Sequence, residues 1–558
     1  MRYVPVCISA SFIGSLTGIL LGGAFGLFTA SRASPGLSLP IIIHSAIVGW
    51  LIGLVSACAI AWLLSHRPQV GNKESSSRQQ RLHIAMLIIT LTPAMLWIIF
   101  SLLSDNLIRK NKVTTPLKKQ PNIILISIDT LRADHIGVYG DTRGLTPNID
   151  KFALNSTRYE NAIAAGSWTM PSFAAIFTQV RPSECGMKLP VLDSKKYIDL
   201  AALTKDVPLL SERLHTAGYT TAAELTNIFL SPERGWNRGF DYFQNERNKA
   251  DPYHKRTLAA SITQYTESWM KIHHRQPFFL WVHYIDPHIP YDSPDTPAQL
   301  RTQYPAKWKA DRKTWYEQMQ SADPKTKMRY QQFCRMMYAE EVRYVDKWVG
   351  HLLESIKSSG LYDNSLIVIM SDHGEELFDH GAFEHGHTMY NELLRVPLLV
   401  KWPYGPQFDP VISQTVSLAD MGGTLLSLAS VSPSAGMKWH VLPKYNQGKG
   451  KEVYSEGLLY GIEQTALTND TRKVIYQPKS LTGKPRFEVY NLRTDKNEQK
   501  NIAGKSTALD ACRRLEIMTA DSLRIAQHIY TKERSSTSRK RLSENTKRNL
   551  RSLGYLGN

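Results

Sequence analysis

The chain has 558 residues and a formal net charge of +18, from 67 Lys+Arg against 49 Asp+Glu. That length exceeds one ordinary domain, for which roughly 100 to 200 residues is usual. Its five cysteines are scattered and form neither a disulfide framework nor a zinc cluster. No nucleic-acid-binding motif accompanies the basic charge, which argues against nucleic acid as a partner.

Residues 1–104 differ in kind from the rest. Three apolar stretches, 6–29, 39–64 and 82–103, contain no Asp, Glu, Lys or Arg. Each is near the roughly 20 residues that a bilayer-spanning helix needs, so a membrane domain with three transmembrane helices is expected. The connector from His66 to Arg81 carries Arg67, Lys73, Arg78 and Arg81, whereas that from Ser31 to Ser38 carries only Arg32. This asymmetry keeps the second connector and the N-terminus inside and places the large domain on the outer face. The expected location is therefore a cell (inner) membrane, multi-pass, with the catalytic domain on the periplasmic or extracellular side.

A polar, lysine-rich linker covers 105–120. From Pro121 to about 430, strand-like runs alternate with helical patterns, as in a mostly parallel sheet covered on both faces. Ile123 to Ile128 and Leu366 to Met370 are continuous apolar runs that read as buried strands, and 278–285 is a third. Pro208 to Ala217 has helical spacing and stops at Gly218. A long helix is expected over about 328–358, from Val342, Val345, Val349, Leu352, Leu353 and Ile356. Residues 289–327 read as an insertion over the active face. Residues 301–335 hold nine Lys/Arg against three Asp/Glu, and 532–551 hold eight against two. Such patches suit an acidic lipid headgroup or an anionic polymer, or are simply solvated basic surface. Residues 431–558 form a smaller C-terminal subdomain with a basic tail.

Four side chains carry the chemistry. Asp129 and Asp372 each follow a strand-like run, which places both carboxylates in the crevice where open α/β sheets bind ligands. His373 follows Asp372, and Thr169 supplies a hydroxyl. Two carboxylates, an imidazole and a hydroxyl suit one divalent cation that activates an oxygen nucleophile on an anionic ester. Mixed oxygen and nitrogen donors fit manganese, zinc or magnesium. A helix cap is the competing reading for Thr169, and a turn for each aspartate.

The stretches NIILISIDTLRADHIGVYG, WTMPSFAAIFTQVRPSECG, FFLWVHYIDPHIPY, SDHGEEL, EHGHTMYNELLRVPLLVKWP, EVYNLRTDKNEQKNIA and LRSLGYLG resemble, in order and spacing, the sulfatase family of the alkaline phosphatase superfamily. The resemblance implies an α/β fold with a central mixed sheet between helices and a smaller C-terminal subdomain. It implies that Asp129, Asp372 and His373 are metal ligands with Thr169 as ligand and nucleophile, and that His288 is a catalytic histidine. His387 and His283 are further candidates for handling a proton or a transferring oxygen, and Arg395 reads as structural. Two departures matter. The second aspartate that many members carry is here Thr130, which thins the carboxylate cage and makes calcium less suitable. The Cys/Ser-x-Pro-x-Arg segment reads Thr169-Met170-Pro171-Ser172-Phe173, so oxidation to formylglycine is not expected. Threonine favours a phosphoester, through a phosphodiesterase or a headgroup phosphotransferase acting on a lipid or glycan. The alternatives are sulfuric ester hydrolysis on sulfated glycans or lipids, and a degenerate glycan-binding relative.

Overall fold

Strands buried along their whole length build the molecule. The structure, a computed structural model, describes residues 120–534 except 189–201, 246–257, 274–276, 406–407, 434–439, 447, 479–482 and 505–507. Asn122–Ile128 (β1), Thr157–Tyr159 (β2), Thr220–Leu225 (β3), Tyr242–Asn245 (β4), Phe278–Tyr284 (β5), Ser365–Ser371 (β6), Leu398–Lys401 (β7) and Val411–Ile412 (β8) form an eight-stranded sheet. Its order is β8-β2-β7-β6-β1-β5-β3-β4. The central strands β6, β1, β5 and β3 are parallel, while β7 runs antiparallel to β6 and β2, so the sheet is mixed.

Successive side chains on a strand point to opposite faces. Ile123, Leu125, Leu366, Val368 and Met370 accordingly pack in one core with Phe173, Phe177, Leu214 and Leu425. These last belong to the helices Thr169–Thr178 (α1), Leu210–Thr216 (α2) and, further on, Asp420–Leu428. Ile124, Ile126, Ile128, Ile367 and Ile369 face the other way, onto Ile262, Val342 and Val345. Those come from Ala259–His273 (α3) and Pro324–Ser358 (α4), and Asp420–Leu428 becomes α5. Both faces are covered, which is why the strands read as continuous apolar runs.

The long helix α4 begins slightly before the expected 328. Pro324 takes its first turn, where no backbone donor is missed, and the Asp323 side chain accepts from Lys325 N and Thr326 N. A second, antiparallel sheet follows: Val453–Ser455 (β9), Thr465–Thr468 (β10), Arg472–Gln477 (β11) and Arg486–Asn491 (β12). The C-terminal helix Leu509–Arg534 (α6) covers it through Leu515, against Leu467, Val474 and Val489.

The expected inner-membrane placement is not upheld. Among the described residues no helix is long and apolar enough to cross a membrane. Even the 35-residue α4 is amphipathic, with charged residues along its outer face. The stretches 6–29, 39–64 and 82–103 lie outside the described residues. That expectation rested on apolar length and on the Lys/Arg asymmetry of the connectors, both of which belong to residues outside the described ones.

Candidate active site

Strand ends gather the site. Parallel pairing sets Ile128 opposite Ser371 and Ser127 opposite His283, so Asp129, Asp372 and His283 emerge at the same edge of the sheet. All three are fully buried. Thr169 is the first residue of α1, and its helix is capped by Trp168 with no side-chain bond, so the threonine is not a cap. Ser172, one turn on, donates to the Asp372 carbonyl at 2.6 Å and holds the start of α1 against the second aspartate.

The Thr169 hydroxyl lies 3.4 Å from His373 Nε2 and 3.2 Å from the donor Nδ2 of Asn227. Asn227 Nδ2 also donates to Asp129 Oδ2 at 2.7 Å. One amide thus sets the hydroxyl and the first carboxylate relative to each other. Its own carbonyl is held by Phe229 N at 2.8 Å. Asn227 was not singled out from the sequence; its position just after β3, the strand beside β5, was the available signal.

His373 Nδ1 is 2.9 Å from the Gly374 carbonyl. A carbonyl only accepts, so Nδ1 carries a proton, and in the neutral form of the ring Nε2 is the bare nitrogen. That nitrogen faces Asp129 Oδ1 at 3.4 Å and Asp372 Oδ2 at 3.5 Å. Burial pushes the Asp129 carboxyl up, but the adjoining imidazole of His283, with those of His288 and His373, outweighs it and holds it at about 2. Burial and the Asp129 charge push Asp372 up to about 6. Two adjacent buried carboxylates do not ionise together readily without a cation between them.

The donor set fits a divalent metal. Asp129 Oδ1, His283 Nε2 and Asp372 Oδ2 are buried, and no hydrogen bond among the described residues satisfies them. Asp129, His283 and Asp372 each offer a ligand atom, all within 4.8 Å of one another. Orphaned acceptors converging in a dry pocket are expensive unless a cation takes them up. Thr130 brings no carboxylate. It is buried at φ 57, a strained conformation for a β-branched residue, and its hydroxyl has no partner among the described residues.

The histidines divide. His288 Nδ1 is fixed on the Ile289 carbonyl at 2.6 Å, and its ring meets that of His385 at 4.9 Å between centroids. His385 in turn lies 4.7 Å from the His373 ring and pairs with Glu375 at 2.7 Å. Burial, then the His373 and His288 charges, hold His385 well below the usual imidazole range. His387 turns elsewhere, to Glu376 at 2.8 Å, and stacks on Tyr460. The glycine-rich text around His385 reads as a mobile loop, yet both residues are anchored. Arg395 Nε donates to the Glu160 carbonyl, away from the site. The insertion does reach the active face: Tyr291 donates to Glu375, and Arg312 Nε to Glu384 at 2.9 Å.

Two buried carboxylates, an imidazole nitrogen and a hydroxyl meet at the carboxyl ends of a mixed α/β sheet, a donor set suited to a divalent cation beside an oxygen nucleophile. The sulfatase family profile matches residues 121–431, and that of the N-sulphoglucosamine sulphohydrolase C-terminal region matches 378–522. The chain belongs to the sulfatase family. An ulvan-active sulfatase of Formosa agariphila is 23% identical over 487 residues, 76% of this chain and 89% of the relative. An N-acetylglucosamine-6-O-sulfatase of Bacteroides thetaiotaomicron is 23% identical over 481 residues, covering 70% and 83%. A solved structure of a protein in complex with its substrate D-glucosamine-2-N,6-O-disulfate superposes with a TM-score of 0.56 at 19% identity, covering 73% of this chain and 98% of that one. At that identity the superposition shows the fold alone.

These relatives correct the expectation of a phosphoester substrate, whether for a phosphodiesterase or a headgroup phosphotransferase. The two curated relatives are sulfatases, and one is named for a 6-O-sulfated N-acetylglucosamine. The phosphoester reading rested on the identity of Thr169. A single nucleophile does not distinguish two tetrahedral anionic esters of nearly equal size.

Proposed function

We propose that this protein hydrolyses sulfuric esters of an anionic glycan, with Thr169 Oγ1 as the attacking oxygen. The observation that carries this reading is the placement of a buried hydroxyl between Asn227 Nδ2, 3.2 Å away, and His373 Nε2, 3.4 Å away, beside two buried carboxylates. The sulfatase relatives support sulfur as the centre attacked and a sugar as the alcohol released. Asp129, Asp372 and His373 would hold a divalent cation, which would make the hydroxyl more acidic and offset the charge of the ester.

The remaining roles belong to the protein. Asn227 orients Oγ1 and keeps Asp129 in register with it. Attack forms the Oγ1–sulfur bond as the sulfur–alkoxide bond breaks, and the hydroxyl proton is released to water. His288, fixed through Nδ1 on the Ile289 carbonyl, presents Nε2 as the donor that returns the leaving alkoxide to a neutral alcohol. Water then attacks the sulfur of the sulfothreonine, restoring the hydroxyl and giving hydrogen sulfate, and His288 takes back from solvent the proton released in the first half. Burial of the whole cluster excludes competing water and strengthens each of these contacts.

Side-by-side turnover of an aryl sulfate, an aryl phosphodiester and an aryl phosphonate tests the reading. The sulfate should have the highest kcat/KM, and Thr169→Ala should lower it by about a thousandfold or more. Faster turnover of either phosphorus ester, or full activity in Thr169→Ala, would overturn it.

A further inference from the structure

We infer that His283 is a fourth ligand of the metal, standing in for the carboxylate that position 130 lacks, and that Ser127 and Trp281 fix its ring for that task. The inference concerns the cation and stands whichever ester is cleaved. It begins from Thr130: the place after Asp129 offers only a hydroxyl, in a strained backbone conformation, so the two aspartates and His373 leave the cage one donor short. The neighbouring strand makes up the difference. β5 runs parallel to β1 with His283 opposite Ser127, two positions before Asp129, and His283 Nε2 comes within 3.3 Å of Asp129 Oδ2. Among the described residues this nitrogen has no hydrogen bond, and it shares a 4.8 Å sphere with atoms of Asp129 and Asp372.

The far side of the ring is what makes Nε2 a donor to a metal. His283 Nδ1 lies 3.0 Å from Ser127 Oγ. The same oxygen receives the indole N–H of Trp281 at 2.9 Å and lies 3.2 Å from the Val282 carbonyl. A serine hydroxyl has one proton to give and two lone pairs to offer. When its proton goes to Val282 and its lone pairs accept from Trp281 Nε1 and His283 Nδ1, all three partners are satisfied. The opposite arrangement, with Ser127 donating to Nδ1, leaves the Val282 contact unmade. The satisfied arrangement puts the imidazole proton on Nδ1 and bares Nε2 toward the aspartates. A hydrogen bond on one ring nitrogen that orients the other is the usual support for a metal-bound histidine. Phe173 closes the remaining side, edge-on to the ring at 5.2 Å between centroids.

Two carboxylates and two imidazoles favour a borderline cation such as Mn²⁺ or Zn²⁺ over Ca²⁺, which seeks more oxygen ligands. The test uses the full chain, stripped of metal and titrated with Mn²⁺ and separately with Ca²⁺. Wild type should bind Mn²⁺ more tightly. His283→Gln should weaken Mn²⁺ about ten- to hundredfold, and Ser127→Ala should weaken it to a lesser degree. His283→Asp, which restores a carboxylate, should move the Mn²⁺/Ca²⁺ preference toward Ca²⁺ by at least about tenfold. Pulsed electron paramagnetic resonance of the Mn²⁺-loaded protein should show two coupled ring nitrogens in wild type and one in His283→Gln. One coupled nitrogen in wild type, or Mn²⁺ affinity unchanged in a folded His283→Gln protein, would overturn the assignment.

Discussion

Gly374 follows His373, a proposed metal ligand, and the structure leaves no room there for a single extra carbon. A Cβ at this position would lie 1.9 Å from the backbone oxygen of Glu392 and 2.9 Å from its carbonyl carbon. Both atoms belong to main chain, so no rotamer change relieves the contact; the two segments must part by roughly 1 Å, at an overpacking cost of about 1–3 kcal/mol. The same movement strains the 2.8 Å bond from Gly374 N to the Leu393 carbonyl, worth about 1 kcal/mol. Gly374→Ala should therefore destabilise the fold by about 2–4 kcal/mol. In a domain of this size that lowers the melting temperature by roughly 2 °C per kcal/mol. Because Gly374 also carries the carbonyl that fixes His373 Nδ1, displacement by such an amount should cost turnover about a hundredfold. Thermal unfolding, metal content and kcat measured together check this. Gly504→Ala, where nothing lies within 4 Å of the added carbon, serves as the control and should match wild type. A Gly374→Ala protein with wild-type melting and wild-type turnover would refute the steric argument.

Three further outcomes are expected. Asn227→Ala removes the donor shared by Thr169 and Asp129, and kcat should fall about 10²- to 10³-fold with little change in KM; steady-state kinetics showing an unaltered kcat would remove Asn227 from the machinery. Lys188 is buried between Glu456 at 3.3 Å and Glu463 at 2.8 Å, all three nearly or wholly inaccessible, so Lys188→Met strands two carboxylates and should cost about 3–5 kcal/mol in denaturant unfolding. A variant as stable as wild type would show that the carboxylates simply take up protons at no cost. Burial works against the charge on His380, but its 2.6 Å bond to Glu392 prevails and raises it to about 9. A raised imidazole adds stability that is complete below its unfolded value near 6.5 and fades as pH climbs through 9. Melting temperature should fall across that interval in wild type and fall less in His380→Gln; parallel profiles would contradict the linkage.

Some of this molecule was legible from its residues alone, and the reason is local. Ile123 to Ile128 and Leu366 to Met370 are apolar without interruption because strands covered on both faces have no polar side, and that pattern survives in one dimension. The carboxylates of Asp129 and Asp372 directly follow those runs, so the edge at which they emerge could be read as well. The long helix α4 could be placed to within a few residues, because Val342, Val345, Val349, Leu352, Leu353 and Ile356 recur at helical spacing. Pairings between distant segments left no such trace. Whether His385 or His387 lies beside His373 depends on how residues 374–387 fold back. The sequence points to His387 alone, whereas packing sends His385 to Glu375 beside His373 and turns His387 to Glu376.

Asn227 and His283 show the same limit more sharply. Each is a single polar residue at the end of a strand, and only the β1–β5–β3 register brings them to Asp129. The nature of the ester was also beyond the reach of one threonine, because sulfur and phosphorus esters present nearly the same shape and charge to a hydroxyl. Chain order alone determined which strands are buried and where their acids emerge, since burial is written in the spacing of apolar side chains. Which nitrogens and amides close around those acids was decided by tertiary structure, since that depends on contacts between segments 98 and 156 residues apart in the chain.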